Sequence, residues 1–180
     1  MSRIEYTDFY QQLIGGYRKN YDIEEVTDSD NFLVSKLHMH IKESQCVVFK
    51  EFEMWSADAD EYVYVFRVPH LTEEIADASI KYAYDMGMPL IDLDHVSIKH
   101  QHMRTHLVAL FICDTADMAA IKKIKKCKIY KSFQFSLKGW MEMHTDLLTL
   151  SDSKVYCNRY GTETAKFLKI HVEHYNKNHM

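Results

Sequence analysis

Glu61-Tyr62-Val63-Tyr64-Val65-Phe66-Arg67 is the stretch that decides how this chain is read. Its β-branched and aromatic residues mark a strand. An amphipathic helical pattern follows over 73–86, and then a second short strand, Val96-Ser97-Ile98. A similar unit recurs over 106–137: an apolar strand at 107–113, a helix at 116–126, and Phe133-Gln134-Phe135 as a further strand. Strand–helix–strand units of this kind assemble one sheet with helices packed on it.

Upstream, 4–20 carries an apolar stripe at helical spacing, with Phe9, Leu13 and Tyr17 flanked by Tyr6, Tyr10 and Ile14. Gly15-Gly16 weakens that helix by roughly 1 kcal/mol per glycine against alanine, which leaves room for a break there. An acidic connector, 22–30, leads to 32–55, which reads as two strands: Leu37, Met39 and Ile41 alternate with His38, His40 and Lys42, and Phe52 and Met54 alternate with Glu51 and Glu53. With 61–68 these make an antiparallel meander. In the middle helix Thr72 is the expected N-cap, Glu73 and Glu74 sit in its positive first turn, and Gly87 followed by Pro89 stops it. Its stripe is Ile75, Ser79, Ile80 and Ala83. The next helix, capped by Asp114 or Thr115, has the stripe Met118, Ile121 and Ile124 with its lysines outward.

Downstream, 95–103, 133–137, 140–150 and 155–157 read as strands, and Thr162 opens a last helix with Ala165, Leu168, Val172 and Tyr175 as its stripe. The expected fold is therefore a single α+β domain over 1–180. It has a central mixed β-sheet flanked by helices, in the order α-βββ-α-ββ-α-βββ-α.

The chain has 180 residues, 47% hydrophobic and 27% charged, with five Gly and two Pro, which fits one globular core and leaves no room for a disordered linker. No run reaches the ~18 apolar residues of a membrane span and the N-terminus lacks a signal-peptide core, so a soluble cytoplasmic setting is expected. Cys46, Cys113, Cys127 and Cys157 are widely spaced and read as small core residues in a reducing compartment. Charge is lopsided: 22–61 holds eleven acids against three lysines, and 122–138 holds seven lysines and no acid.

The opening α-β-β-β-α-β order resembles the core of restriction-endonuclease-like folds. That resemblance implies an acid on the second strand and Glu-x-Lys on the third, holding magnesium and orienting water. The third strand here has no acid-x-lysine pair, so the chemistry would fall to Glu51, Glu53 and Glu61, with Lys50 or Arg67 as the basic partner. Leu137-Lys138-Gly139-Trp140 followed by Asn158-Arg159-Tyr160-Gly161 also resembles the pattern of an uncharacterised bacterial domain family with no assigned activity.

Eleven histidines are the unusual feature. His38-x-His40 and His100-x-His102 each place two imidazoles on one strand face, about 7 Å apart along it. On neighbouring strands the four would gather around a metal such as zinc. His171 and His174 offer a helical pair. The competing reading is that these histidines merely occupy solvent faces. Lys122, Lys123, Lys125, Lys126, Lys128 and Lys131 form a basic ridge followed by Tyr130, Phe133 and Phe135, the elements of a nucleic-acid surface. Against that, lysine is the usual outward residue of an amphipathic helix, and a pI near 6.2 lacks a binder's basic footprint.

No nucleotide-binding loop or nucleophile elbow is present. The favoured reading is a soluble, non-catalytic binding or interaction module that self-associates through its acidic and basic halves or binds a protein partner, with no cofactor required. Nucleic acid is not favoured as a partner. The alternative is a metal-dependent nuclease or phosphodiesterase, with magnesium or zinc.

Overall fold

A computed structural model describes residues 4–27, 31–41, 59–91, 104–135 and 139–179. Helix α1 (Tyr6–Tyr17) is followed by strands β1 (Asp22–Glu25), β2 (Leu33–Ile41) and β3 (Ala59–Leu71). Helix α2 (Glu73–Gly87) and a 3-10 turn (Met88–Leu90) precede β4 (Arg104–Ala116) and α3 (Met118–Lys126). Strands β5 (Tyr130–Ser132), β6 (Trp140–Thr149) and β7 (Lys154–Cys157) lead to α4 (Thr162–Asn178).

The seven strands among the described residues join one mixed sheet in the order β1-β2-β3-β4-β6-β5, with β7 also paired to β6. The β1-β2-β3 run is antiparallel, and β3, β4 and β6 are parallel. Strands β5 and β7 divide the outer edge of β6, pairing antiparallel with its first and last residues respectively. The parallel pairs close two strand–helix–strand units, β3-α2-β4 and β4-α3-β6, whose second strands are β4 and β6 rather than the expected Val96-Ser97-Ile98, which lies outside the described residues, and Phe133-Gln134-Phe135.

Alternation along the strands builds two cores. One face carries Tyr64, Phe66, Leu107, Ala109, Phe111 and Met143 against Ala76, Ile80 and Ala83 of α2 and Ile121 and Ile124 of α3. The other carries Val63, Val65, Val108, Leu110, Ile112 and Leu148 against Phe9, Leu13 and Ile14 of α1 and Leu168, Val172 and Tyr175 of α4. Each such aliphatic side chain contributes about 1.5–3 kcal/mol on full burial. Strand β4 lies between both cores, which is why its Leu107-Val108-Ala109-Leu110-Phe111-Ile112-Cys113 is uninterrupted apolar sequence.

Several expectations need correcting. Part of the expected acidic connector is strand β1, because its backbone pairs with the edge of β2 although its side chains are mostly exposed. Phe133-Gln134-Phe135 is not a strand: the strand is 130–132, and Gln134 (φ 47°) and Phe135 (φ 53°) turn the chain through left-handed backbone. Phe133 is buried while Phe135 is 99% exposed. Helix α1 continues through Gly15-Gly16 without a break. Met118 is exposed, and Ala120 joins Ile121 and Ile124 in the buried stripe of α3, whose N-cap is Asp117 rather than Asp114 or Thr115. Gly161 caps α4, one residue before the expected Thr162. Thr72 does cap α2, its hydroxyl accepting from the Ile75 N–H at 3.3 Å. The expected strand over 95–103 and the return strand near 46–54 lie outside the described residues. No helix among the described residues is long and apolar enough to cross a membrane.

Candidate metal centre

The parallel register sets Glu61 of β3 opposite His106 of β4, and His106 opposite Glu142 of β6. Residues two apart on a strand share a face, so His144 and Asp146 follow Glu142 on the side covered by α1 and α4. The result is a row of carboxylates and imidazoles interrupting an apolar face near the N-terminal ends of three parallel strands. His106, His144 and Asp146 are 8%, 3% and 0% exposed.

Glu61 is held from both sides. Its Oε1 accepts from the Tyr21 hydroxyl at 2.7 Å, and its Oε2 lies 3.1 Å from His106 Nδ1. Tyr21 arrives there because the chain turns tightly after α1, with the Tyr21 N–H donating to the Tyr17 carbonyl and the two rings packed edge-on at 4.9 Å. Burial alone would raise the Glu61 carboxyl, but the hydrogen bond and charge of His106, with His144 and Tyr21, bring it below its ordinary value. An ionised carboxylate only accepts, so the contact with Glu61 is made by the His106 Nδ1–H, which turns Nε2 toward Glu142 and His144.

That Nε2 is buried and has no hydrogen-bond partner, and neither does either ring nitrogen of His144. The two imidazoles lie 4.3 Å apart between ring centroids. Burial, then the neighbouring His106, pushes the His144 pKa down to about 3, so its ring is neutral at any physiological pH. Glu142 Oε2 stands 4.0 Å from His144 Nε2 and 3.4 Å from the Arg104 guanidinium. One ligand atom from each of His106, Glu142 and His144 lies within 4.8 Å of the others. Asp146, below His144, has both oxygens buried without a partner, and burial followed by the Glu61 charge raises its pKa well above the usual range.

Asn158 fixes this arrangement. It is buried, and its Oδ1 accepts from the backbone N–H groups of Thr145, Tyr160 and Gly161 at 3.3, 3.2 and 2.9 Å. Its Nδ2 donates to the carbonyls of Met143 at 2.7 Å and Cys127 at 3.1 Å. One side chain thereby ties the backbone on both sides of His144 to the end of α3 and the start of α4.

A model of a domain of unknown function, DUF8052, matches residues 5–170. The chain belongs to the DUF8052 family. No curated protein and no solved structure matches it. Every residue of the cluster, from Tyr21 to Gly161, lies inside the matched span of the DUF8052 domain. The Asn-Arg-x-Gly stretch thus has a structural role: Asn158 satisfies five backbone groups, and Gly161 lets Asp146 approach, since a Cβ there would meet its Oδ2 at 2.6 Å.

The other residues singled out in the sequence fall elsewhere in the DUF8052 domain. His38 Nε2 and His40 Nδ1 both contact Asp60 Oδ1, at 3.1 and 2.7 Å, and His38 stacks on Tyr62 at 4.4 Å. They pair with Tyr62 and Asp60, on the opposite sheet face from Glu61. His100, His102, Glu51, Glu53 and Lys50 lie outside the described residues. Arg67 is not beside Glu61. Six residues along β3 separate them by roughly 20 Å, and Arg67 instead pairs with Asp114 at 2.8 Å and covers the Tyr6 ring. His171 is bonded to Gln12, and His174 to Asn178. On α3, Lys122, Lys125 and Lys126 are exposed and Lys123 pairs with Asp77 of α2 at 2.7 Å. Lys128 and Lys131 are exposed beside β5. With α3 packed on the face opposite the cluster, this ridge does not line it.

Sequence reasoning missed Tyr21, His106, Glu142, His144 and Asp146. A signal was present in Glu142-x-His144-x-Asp146: polar residues at every second position of a strand whose other positions, Met141, Met143 and Leu147, are core.

Proposed function

We propose that this DUF8052 domain binds a divalent transition metal through His106 Nε2, His144 and Glu142. The observation that carries this reading is the His106 ring, held at Nδ1 by Glu61 with a buried, unpartnered Nε2 facing a second unpartnered imidazole and a carboxylate. Buried polar atoms without partners are costly, and each needs a reason. A carboxylate behind a histidine is the usual support for a metal-ligating imidazole, and Tyr21 supports the carboxylate in turn. A metal would draw the ligands together by about 1 Å, a distance that side-chain rotation supplies.

Two imidazoles and one carboxylate favour zinc or iron over magnesium, which prefers oxygen ligands. Three protein ligands leave room for water or substrate, the pattern of catalytic rather than structural sites, so metal-assisted hydrolysis is the associated chemistry. The three described cysteines, Cys113, Cys127 and Cys157, are free, which supports a reducing, cytoplasmic setting.

The test is metal analysis of untagged protein, followed by titration with Co(II). Stoichiometric uptake with a low-coordinate visible spectrum, lost in H106A, E142A and H144A, is the expected result. Wild-type protein that takes up no zinc, cobalt or iron at micromolar concentration would sink the reading.

A second reading, self-association, draws on the sheet edges. Strand β1 exposes Asp22, Glu24 and Glu25 at one edge, and β5 exposes Lys131, with Lys128 beside it, at the other. Edge strands offer unpaired backbone, and opposite charges favour head-to-tail pairing. Sedimentation at low and high salt tests it: a monomer at every ionic strength would discard self-association without affecting the metal site.

A further inference from the structure

We infer that His38, His40 and Asp60 form a second site for a divalent transition metal, on the sheet face opposite the centre described above. The inference is independent of that centre. Strand β2 sets His38 and His40 on one face, and the antiparallel register places Asp60 of β3 opposite His40 and Tyr62 opposite His38. Side chains at alternate positions start about 7 Å apart along a strand. Here both imidazoles turn to a single atom: His38 Nε2 stands 3.1 Å and His40 Nδ1 2.7 Å from Asp60 Oδ1.

The surroundings hold that pose. The His38 ring lies flat on the Tyr62 ring, with centroids 4.4 Å apart and planes 2° from parallel, which fixes the plane of the imidazole whose Nε2 meets Asp60. Lys36, the preceding residue on this face of β2, has its ammonium drawn to its register partner Glu24 at 2.9 Å, so its charge is matched by β1. The Asp60 side chain is 17% exposed and each imidazole 39%. The carboxylate is thus set back while both rings reach solvent, which gives an ion a way in. Two imidazole nitrogens and a carboxylate oxygen are a donor set for zinc, nickel or copper rather than magnesium. Three protein ligands leave positions open to water or to a donor from another molecule. Asp60 and Glu61 are consecutive, and alternation sends them to opposite faces of β3, so the two centres stand back to back and share no ligand.

The experiment is calorimetric titration of the full, untagged chain with zinc in wild type, H38A/H40A, D60N and H106A/H144A, with circular dichroism alongside. The expected result is one equivalent fewer in H38A/H40A than in wild type and retention of this site in H106A/H144A. In D60N its affinity should fall at least about 10-fold, no less than the loss of an outer supporting partner costs. H38A/H40A that takes up zinc as wild type does overturns the inference, and so does uptake at this site at millimolar zinc only. A D60N affinity equal to wild type removes Asp60 as a ligand and the site with it. One equivalent that survives H106A/H144A and vanishes in H38A/H40A discards the first centre and leaves this one standing. H106A/H144A alters buried side chains and H38A/H40A does not, so cobalt spectra of wild type and H38A/H40A decide the matter even where the buried variant fails to fold.

Discussion

Glu61 and His106 are register partners on neighbouring parallel strands, and the carboxylate accepts from the ring Nδ1 at 3.1 Å while the ring's Nε2 stays buried and unbonded. This pairing fixes the orientation of the ring before any ligand arrives, so His106 is a pre-oriented side chain rather than a rotating surface imidazole.

Glu61→Gln keeps the size of the side chain and removes the charge behind the ring. It is expected to weaken metal binding about 10- to 100-fold without eliminating it, as loss of a supporting carboxylate does. Competition with a chromogenic chelator measures this, and an affinity equal to wild type would show that Glu61 plays no supporting role.

Asn158 is predicted to be among the most sensitive polar positions. Asn158→Ala leaves five backbone groups without their partner, and at about 1–3 kcal/mol for each group that water does not reach, several kcal/mol of stability is at stake. Asn158→Asp is no remedy, because an ionised carboxylate would face the carbonyls of Met143 and Cys127. Urea denaturation is the measurement, and a loss under 1 kcal/mol for Asn158→Ala would contradict the assigned role.

The paired glycines of α1 should respond in opposite directions. A Cβ at Gly15 meets nothing within 4 Å, so Gly15→Ala is expected to gain up to about 1 kcal/mol from helix propensity. A Cβ at Gly16 would lie 2.7 Å from His171 Nε2 and 3.0 Å from Phe167, so Gly16→Ala forces α1 and α4 apart and destabilises by about 1–3 kcal/mol. Thermal melts of the two variants decide it.

Gly161→Ala should be destabilising in the same range, through collision with the Asp146 carboxyl at 2.6 Å. Most of that penalty is expected to vanish in an Asp146→Ala background, because the colliding atoms are gone. A double-mutant cycle reads the coupling directly, and additive effects would refute the contact.

Alkaline pH should unfold the protein. Burial raises Tyr6 and Tyr62 to about 12 and lifts Tyr17 and Tyr21 further, all above the ordinary value of 10.0. A folded-state pKa above the unfolded one means that the stabilisation is complete below pH 10 and is lost as pH climbs toward and through 12. Phenolate absorbance and circular dichroism recorded together should change in one step. Tyrosines that all titrate near pH 10 in the folded protein would contradict this.

Local periodicity made most of the architecture legible. The stripe of α4 at Ala165, Leu168, Val172 and Tyr175 is buried as its spacing requires, and Thr72 marks the start of α2 because a hydroxyl there satisfies a free N–H. Strand β1 was less legible: its acidic residues carry no apolar alternation, and only pairing with β2 makes it a strand. Phe133 and Phe135 mimic alternation, yet left-handed backbone at Gln134 and Phe135 sends one ring inward and the other into solvent.

Sequence by itself determined the helices, the long strands and the alternating mixed-sheet character, because these follow from contacts a few residues apart. Only the tertiary structure decided the centre. Glu61 and His106 are 45 residues apart, and His106 reaches the row of Glu142, His144 and Asp146 through a parallel register with β6. A shift of one residue in either pairing would turn those side chains to opposite faces, and no local pattern encodes which register two distant strands adopt.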